Sequence, residues 1–331
     1  MAALIAAVAL TTTLHGGRAL SEPSRLAGLY DLILAARFEA ARVRMREVCP
    51  PAPLEACQAL GVAARWWEIQ QNPNDRRLDE QLERDSAAAV AASEQWTTRE
   101  PARGEAWFYL AGSSAPLVQA RVFRGQRLSA ARDGKKIKTS LERALALDPA
   151  LTDAYFGIGL YHYYAGVAPA ALKMLRWLLL LPGGDREQGL REMQQARDGG
   201  VLLRGEADYQ LHWIYLWYEH QPERALELLR SLDARYPSNP VFLQRIGAVQ
   251  DEYFHDHRAS AEAWTHLIAR MHAGTAPSTR IAHAYLSLGV ERMHLGDRDR
   301  ARDAFDTAIR LAPPDDADDV IARARSQIKN F

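Results

Sequence analysis

Along nearly the whole chain, apolar residues recur at spacings of three and four, in segments rich in alanine, leucine, arginine and glutamate. That period puts one apolar stripe on each helix and leaves almost no alternating stretch for a half-buried strand. The pattern predicts an all-α protein built from successive helical hairpins. GLYDLILAARFEAARVRM reads as an early hairpin, and its partner runs through ACQALGVAARWWEIQ. Two later hairpins are ADYQLHWIYLWYEHQPERALELLRSLDARYP, with Ala225 and Pro237, and NPVFLQRIGAVQDEYFHDHRASAEAWTHLIARM.

One segment breaks the pattern. Between Ala168 and Gly184 the chain reads APAALKMLRWLLLLPGG, and from Leu172 to Leu181 only Lys173 and Arg176 are polar. As a helix, Ala168–Leu181 would be about 21 Å long, short of the roughly 20 apolar residues that a bilayer requires. Two readings stay open, an interior wedge and an amphipathic helix lying on a surface. The wedge is preferred. Lys173 and Arg176 would reach solvent from one face, and Leu172, Leu175, Leu178 and Leu179 would pack. Gly183 and Gly184 would then reverse the chain, with Asp185 capping the next helix.

The clearest unit is IAHAYLSLGVERMHLGDRDRARDAFDTAIRLAPP, with signposts Tyr285, Leu288, Gly289, Gly296, Ala301, Phe305, Ala308 and Pro313. Small residues fit where two antiparallel helices cross closely, a glycine fits the turn, and a proline ends the second helix. The same order recurs in SLERALALDP (Leu141, Ala144, Pro149), DAYFGIGLYHYY (Tyr155, Ile158, Gly159) and GEAWFYLAG (Ala106, Trp107, Leu110, Ala111). In type and spacing these residues resemble the tetratricopeptide repeat (TPR), over most of residues 24–313. The resemblance implies an α-solenoid spanning residues 21–313, with an acidic turn and a capping helix at 314–331. Between Leu110 and Leu141 the helices are longer than the family norm. The greasy run with PGGDREQGL also resembles a divergent TPR family of fungi and animals linked to inclusion-body clearance and lipid handling.

The resemblance further implies a partner-binding surface lined by the first helix of each hairpin. Its usual positions fall on Asp153, Phe156, Leu160 and Tyr163 in one repeat, and on His283, Leu286, Val290 and Met293 in the last. The lysine and asparagine of the TPR clamp for a C-terminal carboxylate are missing. The implied ligand is an apolar or amphipathic protein or peptide segment. For Phe156 and Leu160, contact with the neighbouring hairpin is an equal alternative.

Catalytic patterns are absent. Gly112-Ser113-Ser114 is no nucleophile elbow, and ARDGKKIKTS lacks the first glycine, the Ser/Thr and the preceding strand of a phosphate loop. DEYFHDH gathers Asp251, Glu252, His255, Asp256 and His257, the residue types that bind transition metals. Residues i and i+2 diverge on a helix, so His255 and His257 would converge only within a turn, and no third or fourth ligand follows at helical spacing. No metal or cofactor is therefore expected, and His212, His220, His266 and His294 read as ordinary histidines. A non-enzymatic scaffold is the preferred function. The alternatives are a metal-dependent hydrolase using the His255–His257 region and a peripheral membrane adaptor.

Charge changes little. The chain is 48% hydrophobic and balances 41 basic against 41 acidic residues, which gives no general attraction to nucleic acid. Locally, Arg121, Arg124, Arg127, Arg132, Lys135, Lys136 and Lys138 form a basic stretch, and Asp315, Asp316, Asp318 and Asp319 an acidic one. The basic stretch is expected to be a solvent face and has few aromatics for nucleic-acid stacking. Residues 1–20 read as a signal peptide or leader. Ala2–Leu14 is apolar, and Gly17-Arg18-Ala19 resembles a cleavage site. Cys49 and Cys57, in CPPAPLEAC, are candidates for a disulfide between a helix end and the next helix. Leader and cysteines together point to an extracytoplasmic protein, with a cytoplasmic one as the alternative.

Overall fold

The computed structural model describes residues 20–167, 183–312 and 317–329. The leader and the greasy run at 168–182 lie outside the described residues, as do residues 313–316, so neither the wedge nor the acidic turn is placed. Fifteen helices and no strand occur among the described residues. They are α1 (Pro23–Leu34), α2 (Phe38–Val48), α3 (Leu54–Gln71), α4 (Asp79–Arg99), α5 (Gly104–Phe123), α6 (Arg127–Leu147), α7 (Ala154–Val167) and α8 (Arg186–Gly199). After these come α9 (Arg204–Trp217), α10 (Pro222–Arg235), α11 (Pro240–Glu252), α12 (His257–His272), α13 (Ile281–His294), α14 (Arg298–Leu311) and α15 (Ala317–Ile328). None of these helices is long and apolar enough to cross a membrane.

Local chemistry sets the helix starts. Asp185, Asn239, Asp256 and Asp297 each accept a hydrogen bond from a backbone N–H of the first turn. Pro23, Pro222 and Pro240 occupy first helical positions, where the missing N–H costs nothing. Hairpins then close through small residues. A Cβ at Gly289 would lie 2.5 Å from the Phe305 ring, so the glycine of α13 makes room for the aromatic of α14. Phe305 therefore fills its own hairpin, and the buried Val320 and Ala324 of α15 extend that cluster. Gly296 makes the intervening turn at φ 77°.

The array is not purely one-dimensional. In an open solenoid each hairpin touches its neighbours only. Here the N-terminal helices also reach the hairpins some 200 residues on. The Tyr236 hydroxyl donates to Asp31 (2.6 Å), Ser238 to the Ala35 carbonyl (2.6 Å), and Asn239 to the Leu34 carbonyl (2.7 Å). Trp67 of α3 packs on Tyr209 of α9 and Phe242 of α11, with ring centroids 4.9 and 5.8 Å apart. Glu206 of α9 sits at the centre of this closure. It is buried and accepts from Tyr30 Oη and Trp67 Nε1 at 3.0 Å each, and from Gln210 Nε2 at 3.3 Å.

Cys49 and Cys57 are joined in a disulfide, with Cα atoms 6.5 Å apart and eight residues of separation. Closing so short a loop restricts the unfolded chain by about 2–3 kcal/mol in the chain-entropy account. The Cys57→Ser variant is expected to unfold at correspondingly lower urea than the oxidised parent. Coincident urea midpoints would show that the bridge adds no stability.

Candidate functional site

The sequence-predicted lining residues divide by burial. Asp153, Phe156, Tyr163 and Leu286 are all less than 7% exposed, so their side chains belong to the interior and offer little surface. Each has a local reason. The Asp153 carboxylate accepts from the backbone N–H groups of Val201, Leu202 and Leu203 (2.8–3.1 Å), clamping the turn between α8 and α9. Burial raises its pKa, and those three donors oppose the shift. Phe156 packs in the core shared by α7–α13. The Tyr163 hydroxyl donates to Glu219, which also accepts from Arg186 Nε at 2.8 Å. Leu286 packs against the C-terminal helices. By contrast, Leu160, His283, Val290 and Met293 are half-buried and keep part of their surface.

A second surface lies outside the predicted lining positions. On α9, Gln210, Trp213 and Trp217 follow at i, i+3 and i+7 and share one face. Trp217 is 55% exposed, and its ring lies 4.1 Å from that of Trp213. The Arg245 guanidinium of α11 covers Trp213 at 4.3 Å from the ring centroid. Two first helices of consecutive hairpins thus present an indole pair edged by a cation. The signal was present in HWIYLW, but there an aromatic-rich period reads equally well as core. Beneath it, the fully buried His212 lies against both Tyr209 and Trp213. Burial and the nearby Arg245 hold its pKa well below the usual histidine range, so it is neutral.

The acidic and histidine-bearing turn is arranged differently from the sequence expectation. His255 lies in the turn with φ 52°, and His257 is the first residue of α12. His257 meets Asp251 and Glu291 rather than His255. Its Nδ1 is 3.2 Å from Asp251 Oδ1 and 2.9 Å from Glu291 Oε2. The third group arrives from α13, 34 residues on, so no local spacing could reveal it.

The basic stretch is not one continuous solvent face. Arg121 pairs with Asp133, Arg124 pairs with Asp79 and donates to the Pro73 carbonyl, and the buried Lys138 pairs with Glu142. Ser113 of α5 is buried and bonded to Ser93 (3.2 Å) and to the Tyr109 carbonyl (2.8 Å), a structural tie between α4 and α5.

The repeat residues and their packing decide the architecture: glycine against aromatic at the crossing, a left-handed glycine at the turn, alanines at the seam. The fold is a TPR-like α-solenoid of antiparallel helical hairpins. No family model and no curated protein matches the sequence. Among solved structures the solenoid is similar to YrrB, a TPR protein with an unusual peptide-binding site, at 16% identity and a TM-score of 0.46, over 72% of this chain and 99% of that one. It is also similar to the APC/C hetero-tetramer Cut9–Hcn1 at 14% identity and a TM-score of 0.48, over 85% of this chain and 44% of that one. A monomeric mutant of IFIT1 with Gppp-AAAA shares 13% identity at a TM-score of 0.44, over 91% of this chain and 71% of that one.

Proposed function

We propose that this TPR-type solenoid is a non-enzymatic scaffold that binds a protein or peptide partner. The occupant we assign is an extended segment carrying an aromatic or apolar side chain beside a carboxylate. The carrying observation is the exposed Trp217, whose ring lies tilted by 31° against that of Trp213, which the Arg245 guanidinium covers. Tryptophan and arginine supply the largest contact energies at protein interfaces, and the cation selects for the acidic group. In this reading His283, Val290 and Met293 of α13, which are half-buried, are the further lining positions on the next first helix. The Cys49–Cys57 disulfide supports an extracytoplasmic place of action.

Selection of a displayed random-peptide library on the intact protein tests this reading. Enriched peptides are expected to carry an aromatic next to Asp or Glu. Trp217→Ala and Arg245→Ala should each weaken them by at least about tenfold. Leu128→Ala, an exposed position on α6, should leave affinity unchanged. Failure to enrich any sequence, or equal losses in all three variants, would overturn the assignment.

A further inference from the structure

We propose that Asp251, His257 and Glu291 form a binding site for a divalent first-row transition-metal ion. Three helices supply the donors. Asp251 lies one residue before the end of α11. The chain reverses through the turn containing His255, and His257 returns six residues later at the start of α12. Glu291 comes up from α13, which packs on α12.

The donor atoms already stand at nearly the right separations. Zinc bonds of about 2.0–2.1 Å in tetrahedral geometry place neighbouring donors about 3.3 Å apart. His257 Nδ1 lies 3.2 Å from Asp251 Oδ1 and 2.9 Å from Glu291 Oε2, and all three donors fall within 4.8 Å of one another. An ion could be seated with small side-chain shifts. The His294 ring stacks on His257, with centroids 4.2 Å apart and planes 7° from parallel, and so fixes the imidazole that would carry the bond.

Charge favours the same conclusion. Glu291 is 3% exposed, and among the described residues the ion pairs of both carboxylates run to this one imidazole. A protonated His257 would balance one negative charge of the two; a dication balances both. The start of α12 carries a positive end that disfavours a cation, but Asp256 already caps it by accepting from the Ala259 N–H at 3.0 Å. The imidazole nitrogen selects a transition metal over magnesium or calcium, which take all-oxygen shells. The side chains of Asp251 and His257 remain 35% and 26% exposed, which leaves a water path to the fourth position.

The test is a zinc titration of tag-free, metal-stripped, full-length protein by calorimetry, with cobalt absorption as a second reading of coordination. One equivalent of zinc per chain is expected, undisturbed by excess magnesium. Asp251→Asn and His257→Gln should each weaken it by about a hundredfold. Circular dichroism checks their folding, and Asp251→Asn, at a partly exposed position, keeps the test decisive if His257→Gln fails to fold. Absence of saturable zinc binding, or stoichiometric binding that survives Asp251→Asn, would overturn the site.

Discussion

Glu206→Leu is expected to destabilise the protein by about 3–5 kcal/mol, because it leaves the buried Tyr30 hydroxyl and Trp67 indole N–H without an acceptor. Gln210 suffers less, since its amide nitrogen also donates to Gln119 Oε1 at 3.0 Å. Glu206→Gln separates the hydrogen bonds from the charge. A glutamine keeps an oxygen for Tyr30 and Trp67, so its cost should stay within about 1 kcal/mol. Its pH dependence should differ more. Burial raises the Glu206 pKa in the folded state, outweighing the hydrogen bonds that stabilise the carboxylate. The folded protein therefore holds that proton to higher pH than the unfolded chain. Stability falls as pH rises from the ordinary carboxylate range, near about 4.3, through the raised folded value. Glu206→Gln removes this loss, so its stability relative to the parent should climb across that window. Urea melts from acid to neutral pH check it. A difference independent of pH would mean that Glu206 is not the titrating group.

The fate of Glu206 also shows what could be read from the chain and what could not. Repeat glycines and alanines are legible because helix crossing demands small residues at fixed offsets. The three-and-four apolar spacing marks the chain as all-α, and Gly289, Gly296 and Ala301 mark the paired-helix repeat within it. Closure of α1 and α3 onto α9–α11 left no such trace. Tyr30 and Trp67 stand 176 and 139 residues from Glu206, and nothing local marks a glutamate that will be buried. The lining positions were half legible for a related reason. Family register identifies the helix face, but the neighbouring turn decides whether Asp153 meets a partner or three backbone N–H groups. Trp213 and Trp217 have helical spacing that fits core and surface equally. The 55% exposure of Trp217 and the Arg245 guanidinium over Trp213, from the next hairpin, distinguish them. The same limit hid Glu291 from His257.

Gly189→Val is expected to be strongly destabilising. The α7–α8 hairpin closes by backbone against backbone. A Cβ at Gly189 would fall 2.4 Å from the Tyr163 nitrogen and 2.6 Å from the Gly159 carbonyl oxygen, and one at Gly159 would fall 2.8 Å from the Gly189 carbonyl oxygen. Neither contact is the far end of a flexible side chain, so relief requires the helices to separate. Separation would break the seat of Tyr163 and Met193, both fully buried. Overpacking in a tight core ordinarily costs about 1–3 kcal/mol, and a clash with backbone on both sides should exceed it, at about 4 kcal/mol or more. Glycine within a helix is otherwise a liability, which supplies the control. Gly134, inside α6, has nothing within 4 Å of its added Cβ. Gly134→Ala should therefore stabilise the protein by about 0.5–1 kcal/mol through helix propensity alone. Opposite signs in parallel urea melts would locate the constraint in the crossing rather than in the residue type. A Gly189→Val protein as stable as its parent would mean that α7 and α8 do not approach as closely as this hairpin requires.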